Sequence, residues 1–305
     1  LLIYSCIAGS REHSLPHINQ PLANASISAV LSKDKSTIIG AVTYTLTNHT
    51  NAALNSLHFW LYANRFIKPS LGLDEGMLKW VYPKERGKKG YTDINGVYRN
   101  GQKADPKLIT KNSLVIEGGV SASNVIAELK LSSPILPGKT GTVTLSFRTK
   151  MPVRRGRFGT YSGVLTAAGG WFPLLMTDLT GKNTALPPDA ITVNAKISLP
   201  SNLGAVLHDE VFPVKPTPQE IEVNGIVAES LTLVVMDRME ISERSYDWGK
   251  AIHVRQSIDW RQPTWEESGR DRLGLPESLP EPGKFNYSTR LLDIVGSTAE
   301  AIKEI

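Results

Sequence analysis

The chain contains almost no cysteine. Cys6 is the single one in 305 residues, so no disulfide can close within the chain and stability has to come from a packed core. No stretch approaches the roughly 20 apolar residues of a membrane-spanning helix, and a helical span is excluded. Charge of one sign is not in large excess: 34 Lys and Arg face 29 Asp and Glu, for a net charge of +5. The basic clusters are Lys84-Glu85-Arg86-Gly87-Lys88-Lys89 and Arg154-Arg155-Gly156-Arg157. No helix-turn-helix, zinc-finger or aromatic RNA-binding pattern accompanies them, so both read as solvated loops and no nucleic-acid partner is expected. Nucleophile motifs are missing too. No Gly-x-Ser-x-Gly elbow occurs, and Cys6 has no paired His. Gly138-Lys139-Thr140 ends like a phosphate-binding loop, but Pro134 and Ile135 occupy its approach and a strand pattern follows it.

What the sequence does have is two-residue alternation. The stretch Ile27 to Phe66 organises the rest. Ile27, Ala29 and Leu31 alternate with Ser26, Ser28 and Val30. After the polar turn Lys33-Asp34-Lys35-Ser36, Val42, Tyr44 and Leu46 alternate with Ala41, Thr43 and Thr45. Asn48-His49-Thr50-Asn51 breaks the run, and Leu57, Phe59 and Leu61 resume it against His58, Trp60 and Tyr62. Alternation of this kind marks half-buried strands. The stretch is expected to be an antiparallel meander of three strands closing at Phe66.

The pattern continues downstream. Gly90 to Ile94 and Val97 to Gln102 read as two strands, the second ending in the Asn100-Gly101 hairpin signal. Ser113 to Ile116 and Val125 to Leu129 follow. Pro137-Gly138 is a turn ahead of a strand from Thr140 to Arg148. Asp189 to Leu199 is another strand, and short strands recur to Arg255 at spacings near a dozen residues. With 25 glycines and 19 prolines, this is an all-β chain: a large antiparallel or mixed β-sandwich over residues 23–257. Residues 1–22 read as a signal remnant or irregular lead. Residues 258–287, with Pro263, Pro276, Pro280, Pro282 and many charges, read as a linker or long loop. From Ser288 the period changes. Leu291, Val295, Ala299, Ile302 and Ile305 recur every three or four residues, as in a C-terminal amphipathic helix.

Several of these phrases together resemble the N-terminal β domain of the aminopeptidase N family of zinc metallopeptidases. They are Leu61-Tyr62-Ala63-Asn64-Arg65-Phe66, Gly90-Tyr91-Thr92-Asp93-Ile94 leading to Asn100-Gly101, Pro134-Ile135-Leu136-Pro137-Gly138, and Trp171-Phe172-Pro173. The resemblance covers roughly residues 23 to 255 and, more weakly, 288 to 305. It implies a non-catalytic domain that walls the substrate cleft, with residues 288–305 as the first helix of a catalytic domain. It also implies that the partners are that catalytic domain, in the same polypeptide, and a peptide substrate. Zinc would belong to the catalytic domain, with no cofactor in residues 1–305. The resemblance places Trp171, Phe172 and the nearby Asp178 near the substrate's amino-terminal end. Read from the residues alone, Trp171 and Phe172 are a buried aromatic anchor and Asp178 a turn residue. The family's substrate-contacting Gln is replaced here by Leu165-Thr166-Ala167-Ala168, and the Cys-x-Asp that often follows Phe-Pro is absent.

The chemistry that the resemblance implies is not encoded in residues 1–305. A zinc peptidase of this type needs His-Glu-x-x-His on one helix face. The six histidines are His13, His17, His49, His58, His208 and His253, and none forms it. His13 and His17 have the spacing, but Ser14 stands where Glu is needed and Pro16 breaks a helix. Gly-x-Met-Glu-Asn is missing too. Two other readings stay open: a stand-alone secreted β-sandwich binding module, and a catalytically dead domain fused to a membrane transporter. Leu1 to Ala8 and Ile3-Tyr4-Ser5-Cys6 fit an exported protein, periplasmic or extracellular, lipid-anchored through Cys6. Asn24-Ala25-Ser26, Asn48-His49-Thr50 and Asn286-Tyr287-Ser288 fit the glycosylation pattern.

Overall fold

A computed structural model describes residues 4–8, 23–67, 81–82, 89–103, 108–111, 114–116, 120–122, 125–176, 191–228, 230–246 and 249–256. The expected linker over 258–287, the helix over 288–305 and most of the lead over 1–22 lie outside them. The first strands are β1 (Tyr4–Ala8), β2 (Ala23–Leu31), β3 (Thr37–Thr47), β4 (Leu54–Trp60), β5 (Tyr91–Arg99), β6 (Gln102–Lys103) and β7 (Leu108–Lys111). Next come β8 (Leu114–Ile116), β9 (Val120–Ala122), β10 (Ile126–Ile135), β11 (Thr140–Lys150), β12 (Phe158–Tyr161), β13 (Val164–Ala167) and β14 (Leu174–Met176). The last are β15 (Ile191–Leu199), β16 (Leu203–Leu207), β17 (Glu210–Lys215), β18 (Gln219–Ala228), β19 (Leu233–Met236), β20 (Met239–Tyr246) and β21 (Gly249–Gln256).

The strands fall into two compact units, divided at Asp237, inside the span that the sequence pattern gives to one sandwich. In the smaller unit β1, β21 and β20 form an antiparallel sheet, with Cys6 opposite Ile252. In the larger unit a seven-stranded sheet runs β18-β15-β2-β3-β11-β5-β6. Its pairs are antiparallel except β15 with β2, so the sheet is mixed. A four-stranded sheet, β14-β4-β10-β7, and a five-stranded sheet, β12-β13-β19-β16-β17, complete the sandwich; β8 and β9 pair separately.

Alternation explains the layering. On β2 the residues alternate strictly between buried and exposed, with Ile27, Ala29 and Leu31 inside. On β3 and β11 the inside residues are Val42, Tyr44 and Leu46, and Val143, Leu145 and Phe147. One continuous core joins these to Leu57, Phe59, Ala127 and Leu129 of the four-stranded sheet and to Leu165, Ala205 and Val235 of the five-stranded one. The outer face of the large sheet is mainly polar: Thr43 meets Thr144 at 2.9 Å, and Thr47 meets Thr140 at 2.9 Å. One buried face and one wet face is the usual state of a sandwich sheet.

The structure corrects the expected three-strand meander. The hairpin β2–β3 forms, but β4 leaves the sheet and pairs with β10 and β14 instead. Asn48 makes that crossing possible. Almost fully buried, it donates through Nδ2 to the carbonyls of Ala52, at 2.8 Å, and Ile135, at 2.7 Å. Its Oδ1 accepts from the Thr50 backbone at 2.9 Å. Its own backbone zips to Lys139 and Gly138, the second half of the Pro137-Gly138 turn. An interior side chain committed in this way is not a glycosylation acceptor, whatever the pattern Asn48-His49-Thr50 suggests. The third strand also ends early, at Trp60. Tyr62–Phe66 is a 3-10 turn rather than a strand end, and Asn64 Oδ1 holds the Thr92 N–H at 2.7 Å. The two strands expected between Gly90 and Gln102 are one strand, β5. It is kinked by a register shift near Ile94 and Gly96 and turned at Asn100-Gly101 into β6.

Replacing Asn48 by Ala orphans the buried Ile135 carbonyl, removes one of the donors to Ala52 and unlocks both turns. The expected loss is about 2–4 kcal/mol of unfolding free energy, read from urea titrations; a loss below about 0.5 kcal/mol would show that the crossing does not rely on this side chain.

Candidate functional site

The sequence-predicted site is the segment Gly169 to Met176. Two glycines bring the chain in at positive φ, 148° at Gly169 and 70° at Gly170. A Cβ on Gly169 would stand 2.3 Å from Ser230 Oγ, and one on Gly170 would stand 2.4 Å from Tyr62 Cβ. Neither position tolerates a side chain. Trp171 and Phe172 then enter the core with no exposed surface. Their rings meet edge to face at 4.8 Å, and Trp171 Nε1 donates to the Leu231 carbonyl at 2.7 Å. Tyr44 Oη donates to the Pro173 carbonyl at 2.6 Å. Burial pushes the Tyr44 phenol far above the ordinary tyrosine range, so it remains a donor. In this structure Trp171 and Phe172 are an anchor between the sheets. Asp178 lies outside the described residues. Where the resembled family carries its Gln, Leu165, Thr166 and Ala167 sit buried in β13, and Thr166 Oγ1 donates to the Gly156 carbonyl at 2.7 Å.

Three polar groupings could be taken for chemistry. His58 is buried, with Nε2 3.8 Å from Glu128 Oε1. These two groups sit opposite each other on β4 and β10. His208 occupies the two-residue loop between β16 and β17, with φ 58° and its backbone N–H on the Thr232 carbonyl. Among the described residues no three His, Cys, Asp or Glu side chains are grouped to hold a metal. Among them, too, no helix is long and apolar enough to cross a membrane.

The third grouping is the turn between β2 and β3. Ser32 Oγ donates to Asp34 Oδ1 at 2.5 Å, and the Ser36 backbone donates to the same oxygen at 3.1 Å. Ser36 Oγ donates to Asp34 Oδ2 and accepts from Lys150 Nζ, which is itself 3.7 Å from Asp34 Oδ2. A serine between a lysine and an aspartate suggests an activated nucleophile, but the carboxylate that accepts its proton is a poor base. The hydrogen bonds from Ser32 and Ser36, and then the charge of Lys150, hold the Asp34 carboxyl well below the usual range. A carboxylate that acidic is a weak base for a hydroxyl. The grouping secures a hairpin.

Sequence reasoning also missed an aromatic cluster. Tyr62 packs on Trp60 at 5.1 Å, on Phe66 at 5.6 Å and on Phe158 at 5.0 Å, while Phe66 stacks on Phe158 at 5.3 Å. The signal for it was the spacing of Trp60, Tyr62 and Phe66, which mixed with strand alternation.

Two outcomes follow from these contacts. Trp171→Phe is expected to cost about 2–4 kcal/mol, through a residual cavity and an orphaned carbonyl, as measured by chemical denaturation. Asp34 has a folded pKa below its unfolded value, so its contribution is complete at neutral pH and is lost as pH falls below the unfolded value of about 4. The stability gap between the wild type and Asp34→Asn should therefore shrink on acidification; a gap that holds or widens down to low pH would contradict this assignment.

No family model and no curated protein matches the chain. Solved structures do. An M1 zinc metallopeptidase from Deinococcus radiodurans, bound to a Tyr-Ser-Ala substrate, is similar at 14% identity, with 83% of this chain and 51% of that one covered and a TM-score of 0.47. A two-domain M1 zinc metallopeptidase bound to L-tryptophan is similar at 14% identity, with the same coverage and a TM-score of 0.46. Leukotriene A4 hydrolase from Saccharomyces cerevisiae is similar at 14% identity over 76% of this chain and 32% of its own, with a TM-score of 0.37. The chain thus spans about half the length of the metallopeptidases it matches.

Proposed function

We propose that residues 1–305 hold the non-catalytic N-terminal β domain of a zinc-dependent, aminopeptidase-like metallopeptidase, and that the domain forms a wall of the substrate cleft. The observation that carries this reading is where the family-like phrases fall. Leu61 to Phe66 is the turn that ends β4, Pro137-Gly138 is the turn zipped to Asn48, and Trp171-Phe172-Pro173 is the anchor under Tyr44. Each is a junction of the same mixed-sheet sandwich, and they come in the family's order. The partner is the catalytic domain of the same polypeptide, which supplies the zinc that activates water. Peptides are the substrate of the whole protein. Export, with Cys6 as a lipid attachment point, belongs to the same reading.

Residues 1–305 are expected to release no product from aminoacyl-nitroanilides and to retain no stoichiometric zinc after dialysis. The coding sequence beyond Ile305 is expected to carry His-Glu-x-x-His within roughly a hundred residues, a typical domain's reach. A stoichiometric zinc in this fragment, or membrane spans in place of that motif, would overturn the reading.

A further inference from the structure

Arg154 is placed unlike any other cation in the described chain. It precedes β12 and is held at both ends of its side chain. Its backbone N–H donates to the Thr160 carbonyl at 3.1 Å. Its stem lies where a Cβ on Gly159 would be, 2.6 Å from Arg154 Cγ, so the glycine leaves room for it. Its guanidinium lies 4.7 Å from the centre of the Phe66 ring and 5.6 Å from that of Tyr82. Gly156 lies beside the terminal nitrogens: a Cβ there would stand 3.7 Å from Nη2. Aromatic faces attract a cation and orient it, but they supply no acceptor in the guanidinium plane.

No described hydrogen-bond acceptor fills that plane. Arg154 Nε is buried without a hydrogen-bond partner, and no described carboxylate or carbonyl accepts from the guanidinium. The neighbouring Arg155 is spent differently, with its Nη2 on Tyr161 Oη at 2.8 Å and its ring contact at 4.6 Å. Among the described residues, the ionised side chain that bears on Arg154 has the same sign. Arg65, over the Tyr62 ring at 5.2 Å, also has no acidic partner among the described residues. Desolvation, then repulsion from Arg65, draws the Arg154 pKa down, while Tyr82 and Tyr62 oppose the shift. A partly desolvated cation with no counter-charge is costly unless something outside supplies one.

We infer that Arg154, backed by Arg65 on the Tyr62–Phe66–Phe158–Tyr82 aromatic platform, is a receptor for an oxyanion, a carboxylate or a phosphate gripped by the guanidinium fork. A fixed planar fork with uncommitted donors is the arrangement that recognises such groups. Its two sources are an acidic side chain on a polypeptide and a free inorganic anion. The site does not depend on the peptidase reading, since it rests on residues of this unit alone.

The test is an NMR titration of residues 1–305 at low salt. One arm uses inorganic phosphate and the other a short Asp- and Glu-rich peptide. The reporters are the Arg154 Nε–H signal and the backbone amides of Gly156 and Gly159. In the wild type these signals should shift saturably. Arg154→Lys keeps the charge but loses the fork, and should weaken the glycine response about tenfold. Arg148→Gln, which removes an exposed charge from β11, should leave it unchanged. A response to the peptide at far lower concentration than to phosphate identifies a polypeptide carboxylate as the source; the reverse identifies a free anion. No saturable shift with either probe, or an equal loss in Arg148→Gln, overturns the inference.

Discussion

Tyr44 fastens the two layers of the sandwich. It sits on the large sheet with its ring fully buried, 5.7 Å from Phe59 of the four-stranded sheet. A phenol in a dry core must find an acceptor or bear the cost of an unmade hydrogen bond. The Pro173 carbonyl meets that requirement. The consequence travels along the chain. Once Pro173 is fixed, Trp171 and Phe172 have to lie under the same layer, and Gly169 and Gly170 have to bend the chain past Ser230 and Tyr62 to bring them there.

Several other polar groups of the interior follow the same rule. Asn48 satisfies the turns between which the chain changes sheet. Gln219 donates to the carbonyls of Leu203 and Pro213, where β18 meets the five-stranded sheet's corner. Thr92 and Thr149 pair at 2.8 Å across β5 and β11. Each of these side chains works on backbone or on a like partner, which is what a structural role looks like. The Asp34 turn belongs with them despite its catalytic-looking membership. Arg154 stands apart because its aromatic contacts fix its position without satisfying its donors.

Much of the architecture could be read from residue order. The alternation of Ile27, Ala29 and Leu31 gave the buried face of β2, and Asn100-Gly101 gave a hairpin. Trp171 and Phe172 were recognisable as large aromatics beside a Gly-Gly pair. What stayed hidden was the environment. The Arg154 cluster was legible only as a short basic run, because Phe66, Tyr82 and Phe158 come from three separate segments. Ser162-Gly163, the tight turn joining β12 to β13, carried a signal that went unread among neighbouring glycines.

Strand faces and turn positions were determined by the sequence alone, because each depends on side chains a few residues apart and on local backbone preference. Which sheet a strand joins was decided by the tertiary structure. β4 carries the same alternation as β3, yet it pairs with β10 and β14. The groups that settle this lie far apart in the chain: Asn48 and the Ile135 carbonyl are 87 residues apart, and Tyr44 and the Pro173 carbonyl 129. A hydrogen bond between such groups is set by where the folded layers bring them, and no local pattern encodes that meeting.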